Sequence, residues 1–445
     1  MKSLARNLET ALVCAGLVGA LALGSTLVGC STASGSTSQT SSAASSMATA
    51  PADRMQGPAG MESTSQVDAT KTDGTILDAT DLFTNRDLKQ EADTSSATTY
   101  TLSDNQNIAI TEEGVYVISG SAENVTITVE ASDDAKVQIV LDGATITNES
   151  APAIYVKSAD KVFVTTSADS TLSTTGTFVA DGDTNLDAVI FSRSDLTFNG
   201  TATLTLNSTD NAIASKDGVK VTGGTYNISC ESDAIEAHDF IAVCDGTINV
   251  TSANNGLKAK DSDDDTVGYI YISGGTFNID AENDAIHATT ALQIDGGTFS
   301  LTGAECLEAT YIQINDGTID IQATDDGINA AQKSTSYSVV VDIRGGDTTV
   351  VMGSGDTDGI DSNGSIYISG GTVNVTCNSP FDYDQTGEIT GGTVITNGEQ
   401  VTEMTNQMMG GGMGGGMQGG QKMPGAGNQQ NQQAPQNGNM GGKMR

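Results

Sequence analysis

The 445-residue chain has no tryptophan, six prolines, six cysteines, two histidines and only 19 lysines and arginines against 56 aspartates and glutamates. The formal net charge is −37, and loss of residues 1–29, with Lys2, Arg6 and Glu9, would make it −38. So few cations on so acidic a surface exclude direct binding to nucleic acid or anionic lipid, and favour multivalent cations instead. Two histidines and no recognisable serine or cysteine constellation leave little material for acid–base or nucleophilic catalysis. None of the cysteines stands in a Cys-x-x-Cys spacing, which argues against a zinc ribbon or finger. Four of them, Cys230, Cys244, Cys306 and Cys377, are read as free thiols or small core residues.

Long apolar runs are also scarce. The one at Ala11–Gly24 is too short for a comfortable membrane span. It follows Lys2 and Arg6 and leads to Leu27-Val28-Gly29-Cys30, which resembles a bacterial lipobox. That resemblance implies a signal peptide over residues 1–29, lipidation at Cys30 and an exported protein held to the membrane only by its lipid. Residues 30–97 are expected to be a disordered tether, Ser/Thr/Ala-rich to about residue 75. Residues 398–445, rich in Gly, Met, Gln and Asn, lack material for a core and are expected to be a low-complexity tail.

What is abundant is Gly (52), with Thr, Ser, Asn and Asp arranged periodically. A threonine after glycine, or its equivalent, recurs at 201, 225, 247, 276, 298, 318, 347, 372 and 393, with spacings of 24, 22, 29, 22, 20, 29, 25 and 21. Three strand-like pieces fill each repeat. One is Asp-Ala-Ile, as at Asp284-Ala285-Ile286; one precedes the glycines, as at Ile270-Tyr271-Ile272; one follows Gly-Thr, as at Phe277-Asn278-Ile279. Alternation turns Tyr226, Ile248, Phe277, Phe299, Ile319 and Val373 inward, together with Ile228, Val250, Ile279, Leu301, Ile321 and Val375. Such ladders predict an all-β fold. It is a single right-handed parallel β-helix of three sheets and about 13 coils over residues 98–397, roughly 60 Å long at about 4.8 Å per coil.

Carboxylates gather at one corner of this repeat, at Asp210, Asp233, Asp284, Asp325, Asp326, Asp358 and Asp382, with an acidic insertion at Asp261–Asp265. Asx residues favour turns, yet stacked carboxylates repel one another, and Ca²⁺ with its six to eight oxygen ligands is the ion that would offset this. The polar stripe Ala214, Glu236, Lys258, His287, Glu308, Asn329 and Asp361 points outward, as do Tyr269, Tyr271, Tyr311 and Tyr367 on the neighbouring strands. Aromatics beside carboxylates and amides suit an extended polysaccharide. A third outward row, Asn227, Asn249, Asn278 and Asn374, is read as hydrogen-bonded sheet capping.

The segments Ile213–Thr225 and Asn255–Asp265, the latter followed by Gly268–Thr276, resemble a bacterial carbohydrate-binding family with a pectate-lyase-like β-helix. The resemblance implies calcium, and binding of cellulose-like or acidic polysaccharide without catalysis. By position it places calcium at Asp233, Asp284, Asp325, Asp326 and Asp358 and near Asp263, Asp264 and Asp265. Asn254-Asn255 and Glu305-Cys306 replace the acidic pair in two repeats. The expectation is a monomeric, non-catalytic surface lipoprotein that binds polysaccharide through Glu236, Lys258, His287, Glu308, Tyr269, Tyr271, Tyr311 and Tyr367. A calcium-dependent polysaccharide lyase and a purely structural adhesion rod are the alternatives.

Overall fold

The computed structural model describes residues 71–252, 254–354 and 357–406, and these form an all-β architecture whose strands pair in parallel almost throughout. The expected signal peptide, Cys30 and the Met-rich part of the tail lie outside the described residues. Each strand pairs with its counterpart one repeat later, so three ladders run through the molecule.

Ladder 1 is a twelve-stranded sheet from Ile108–Ile110 to Ser379–Tyr383 and carries the Asp-Ala-Ile segments. Ladder 2 holds the strands before the glycines, such as Tyr269–Ile272, Ala291–Ile294 and Tyr311–Ile314. Ladder 3 holds those after them, such as Thr276–Ala281, Thr298–Gly303 and Thr318–Ala323. Ladders 2 and 3 join into one hydrogen-bonded sheet. Long strands such as Val219–Cys230 and Phe240–Ser252 run through both, shifting register at the glycine corner.

The Gly-Gly-Thr phrase has a conformational cause. The glycine before threonine takes positive φ in repeat after repeat, 104° at Gly275, 113° at Gly297 and 74° at Gly371, a region costly for other residues. The preceding glycine leaves room for the neighbouring repeat. A Cβ at Gly345 or Gly370 would overlap the carbonyl oxygen of Asn315 or Arg344 one repeat earlier.

The core is made by the predicted inward residues. Ile248, Phe277, Phe299 and Ile319 pair in succession, and all are buried. The Phe277 and Phe299 rings stack 4.6 Å apart and 5° from parallel. Each repeat thus closes its neighbour's apolar edge. The four cysteines are free thiols, two of them buried.

Two expected boundaries are corrected. Residues 71–90 are not tether: they lie as a strap across the outward face of ladder 2. Leu77 N donates to Gln293 Oε1 (2.9 Å) and Ile76 N to Gln313 Oε1 (3.2 Å), while Phe83 packs on Tyr271. At its far end Asp87, fully buried, meets Lys161 (3.1 Å) and Lys220 (3.8 Å). The strap holds because it brings a carboxylate to two buried lysines and apolar side chains to exposed rings. At the other end, Glu399–Val401 folds back antiparallel on Thr393–Thr396, so the ordered chain extends past residue 397.

Candidate functional site

The outward stripe of ladder 1 is in register as expected: Glu236, Lys258, His287, Glu308, Asn329 and Asp361 pair one to the next, and Asp382 continues the line. Asp382 therefore belongs to this stripe and not to the acidic corner, because Ser379 takes the corner position opposite Asp358. The corner column itself includes Asp284 paired with Glu305 and Asp326 paired with Asp358. Asn211 and Asn255 take part in it: Asp233 N donates to Asn211 Oδ1 (2.9 Å), Asn255 N to Asp233 Oδ1 (3.1 Å) and Asp284 N to Asn255 Oδ1 (3.1 Å). Asn211, not Asp210, and Asp326, not exposed Asp325, thus occupy the column. Each side chain satisfies the backbone of the next repeat, the accounting that buried polar groups require.

Stripe and column interlock as ion pairs. Lys258 Nζ lies 2.6 Å from Asp233 Oδ2. His287 Nδ1 lies 2.8 Å from Asp284 Oδ2 and 2.6 Å from Glu308 Oε2. Lys333 pairs with the other oxygen of Glu308, and Asn329 Nδ2 donates to Glu305 Oε2 at 3.0 Å. Burial works against ionisation of Glu308, but His287 and Lys333 outweigh it and hold the carboxyl at about 2. Among the described residues Glu305 has no such cation. Burial and its neighbour Glu308 push it up to about 8.

Farther along, the electrostatics change sign. Burial, then Asp325 and Asp358, push Asp326 up to about 6. Burial, then Asp326, Asp382 and Asp358, push Asp361 up to about 7. Asp358 Oδ1 is buried and has no hydrogen-bond partner among the described residues. Of the predicted metal ligands, then, Asp233 already faces a lysine and Asp284 an imidazole, whereas Asp326 and Asp358 face one another. Asp263, Asp264 and Asp265 are exposed on an insertion. Asp263 and Asp265, with Lys260, Asp261, Ser262, His287, Thr289 and Lys333, line a cleft of about 470 Å³.

The aromatic platform is the main correction. Tyr271, Tyr311 and Tyr367 are buried, since the strap lies over them. Thr72 N donates to Tyr311 OH (3.1 Å), Lys71 Nζ sits 5.1 Å from the Tyr367 ring centre, and Tyr271 OH donates to Asp295 (2.9 Å). Tyr269 is half-buried and stacks on Phe240 at 5.3 Å. Period-two alternation turns a side chain out of the core, but what covers it next is a long-range matter.

The third outward row is open. On ladder 3 Asn249 Nδ2 donates to Asn227 Oδ1 and Asn278 Nδ2 to Asn249 Oδ1, both at 2.8 Å. This bears out the expected amide row at Asn227, Asn249 and Asn278, whereas Asn374 stands in register with Thr349 and Ile395. Beside it Asn207, Ser229, Thr251, Asp280, Ser300 and Thr302 are exposed, and with the amides they line a shallow groove of about 480 Å³.

Residues 104–310 and 304–407 match the model of a family described as carbohydrate-binding domain-containing protein. The chain belongs to this carbohydrate-binding domain family. A relative with the same description, from Acetivibrio thermocellus, is 32% identical over 128 residues, 28% of this chain and 45% of its own length. The match thus spans under half of that relative. A solved structure of a polysaccharide lyase-like protein from C. thermocellum, a gadolinium derivative, aligns with 70% of this chain and 97% of its own, at 21% identity and a TM-score of 0.38. So distant a likeness carries no residue roles.

Proposed function

We propose that the chain is a non-catalytic polysaccharide-binding protein whose ligand lies along the polar groove of ladder 3. The observation that carries this reading is the in-register row of Thr205, Asn227, Asn249, Asn278 and Ser300 on a parallel sheet, with Asn227, Asn278 and Ser300 exposed and the other two half-buried, beside a second polar row. Amides and hydroxyls repeated at about 4.8 Å, the strand spacing, offer paired donors and acceptors to the hydroxyls of a repeating sugar chain. Membership of the carbohydrate-binding family supports it. The test is retention on insoluble glucan and on polygalacturonate. Asn249→Ala should weaken retention without altering the far-UV CD spectrum, and equal retention by the variant would remove the groove from the reading.

The same proposal takes the three ladders as sheets of one right-handed β-helix, the hand that parallel crossovers adopt almost without exception. Calcium enters where Asp326, Asp358, Asp361 and Asp382 converge. Crowded, half-buried carboxylates and an Asp358 Oδ1 without a hydrogen-bond partner among the described residues fit a hard cation that takes only oxygen. Chelator should lower the melting temperature, and Asp358→Asn should abolish that response. Lipidation at Cys30 would hold the protein at the cell surface; Cys30→Ala should then move it from the membrane to the soluble fraction. The lyase alternative keeps Lys260, Lys333 and His287 around the cleft as its material, and release of unsaturated products from pectate would revive it.

A further inference from the structure

Ladder 1 also gathers buried side chains of metal-ligating type, apart from the groove and from the carboxylates around Asp358. We infer that Asp284, His287 and Glu308 form a binding site for a transition-metal dication of the zinc or manganese class. All three side chains are buried, and their ligand atoms lie within 4.8 Å of one another. Asp284 Oδ2 and Glu308 Oε2 approach the same ring nitrogen, His287 Nδ1, at 2.8 and 2.6 Å. One Nδ1–H points in one direction in the ring plane and donates well to one acceptor, so the second oxygen lacks a proton of its own. A cation among the three atoms serves all of them. Two donors on one tetrahedral zinc, each at about 2.0–2.2 Å, stand roughly 3.4 Å apart, so the contacts of 2.8 and 2.6 Å would open by less than about 1 Å to admit the ion.

A separate observation points the same way. Asn329, next to Glu308 in register and 8% exposed, holds Glu305 through Nδ2 at 3.0 Å, while its Oδ1 has no hydrogen-bond partner among the described residues. That oxygen is a buried acceptor left over on the strand beside Glu308. Around the three ligands the remaining groups are already committed. Lys333 takes the outer oxygen of Glu308, leaving Oε2 toward His287, which is how metal-ligating carboxylates are oriented by their own partners. The cleft bordered by His287, Lys333 and the carboxylates of Asp261, Asp263 and Asp265 supplies an entry path that concentrates cations. The imidazole nitrogen and low donor count separate this site from calcium, which takes six to eight oxygens.

The test titrates the metal-stripped full chain with Co²⁺ and Zn²⁺ in excess calcium. The expected result is one saturable equivalent of Co²⁺ with visible d–d absorption, displaced by Zn²⁺ and not by calcium. His287→Gln and Glu308→Gln should each weaken it roughly 10–100-fold or more, whereas Asp358→Asn should leave it unchanged. Because the chain has two histidines, imidazole NMR of the unaltered protein gives a readout that does not depend on any variant folding. One ring should shift with one equivalent of Zn²⁺, while the ring of His238 stays. No saturable site, a shift of the His238 ring alone, or Co²⁺ binding of equal strength in folded His287→Gln would overturn the assignment.

Discussion

Replacing Asp87 with asparagine keeps the shape of the strap and removes its charge. Asp87 Oδ1 lies 3.1 Å from Lys161 Nζ and Oδ2 lies 3.8 Å from Lys220 Nζ, with the carboxylate fully buried and both lysines nearly so. At an effective dielectric of 20 these pairs attract by about 5 and about 4 kcal/mol, before the desolvation that offsets most of it. The useful number is the cost of leaving two buried ammonium groups without their carboxylate, about 3–5 kcal/mol. Asp195 is a further counter-charge to both lysines, which places the expectation toward the lower end. The loss falls on the strap, because the lysines reach solvent once it lifts. Amide exchange at Ile76, Leu77 and Thr84 should accelerate by about two to three powers of ten, since each 1.4 kcal/mol is tenfold. Acid should do the same. Burial alone would raise the Asp87 carboxyl, but Lys161, the Thr84 amide and Lys220 hold it below 3.8. A depressed carboxyl stabilises above its unfolded pKa, and that contribution is lost as pH falls through the folded value, below about pH 4. Hydrogen-exchange mass spectrometry reads both effects. Exchange in residues 76–90 within threefold of the unaltered protein, with the core intact, would refute the reasoning.

Phe299→Ala removes a ring stacked on Phe277 and paired with Ile319; it should cost about 3–5 kcal/mol in denaturant unfolding. Burial, then Asp217, pushes Asp195 up to about 6. A carboxyl raised in the folded state loses stability as pH climbs from about 4 through 6, by up to about 3 kcal/mol. Asp195→Asn should flatten that slope in melting curves across the same interval. Gly346→Ala meets both a φ of 74° and a backbone oxygen of Gly317 2.6 Å from the new Cβ; it should lower the melting temperature measurably more than Gly74→Ala, where nothing lies within 4 Å.

Much of the architecture was legible because its cause is local and repeated. Period-two alternation decides which of Phe277, Asn278 and Ile279 face inward, and the recurring Gly-Thr spacing aligns Glu236, Lys258, His287 and Glu308. The amide row Asn227–Asn249–Asn278 was visible for the same reason, although its role as the open face was not. The charge state of the acidic corner was not legible. Whether Asp233 is neutralised depends on Lys258, 25 residues on, and whether Glu308 is depends on Lys333 in a separate insertion.

By itself, then, the sequence determined the all-β repeat, the pairing register, the inward ladders and the glycine corners, since parallel stacking sets each residue against its equivalent one repeat away. The tertiary structure alone decided which outward faces stay open. Asp87 reaches Lys161 and Lys220 across 74 and 133 residues, and Thr72 reaches Tyr311 across 239. Periodicity has no term for a strap that crosses many repeats at once. That strap buries the aromatic face and leaves the amide face to solvent.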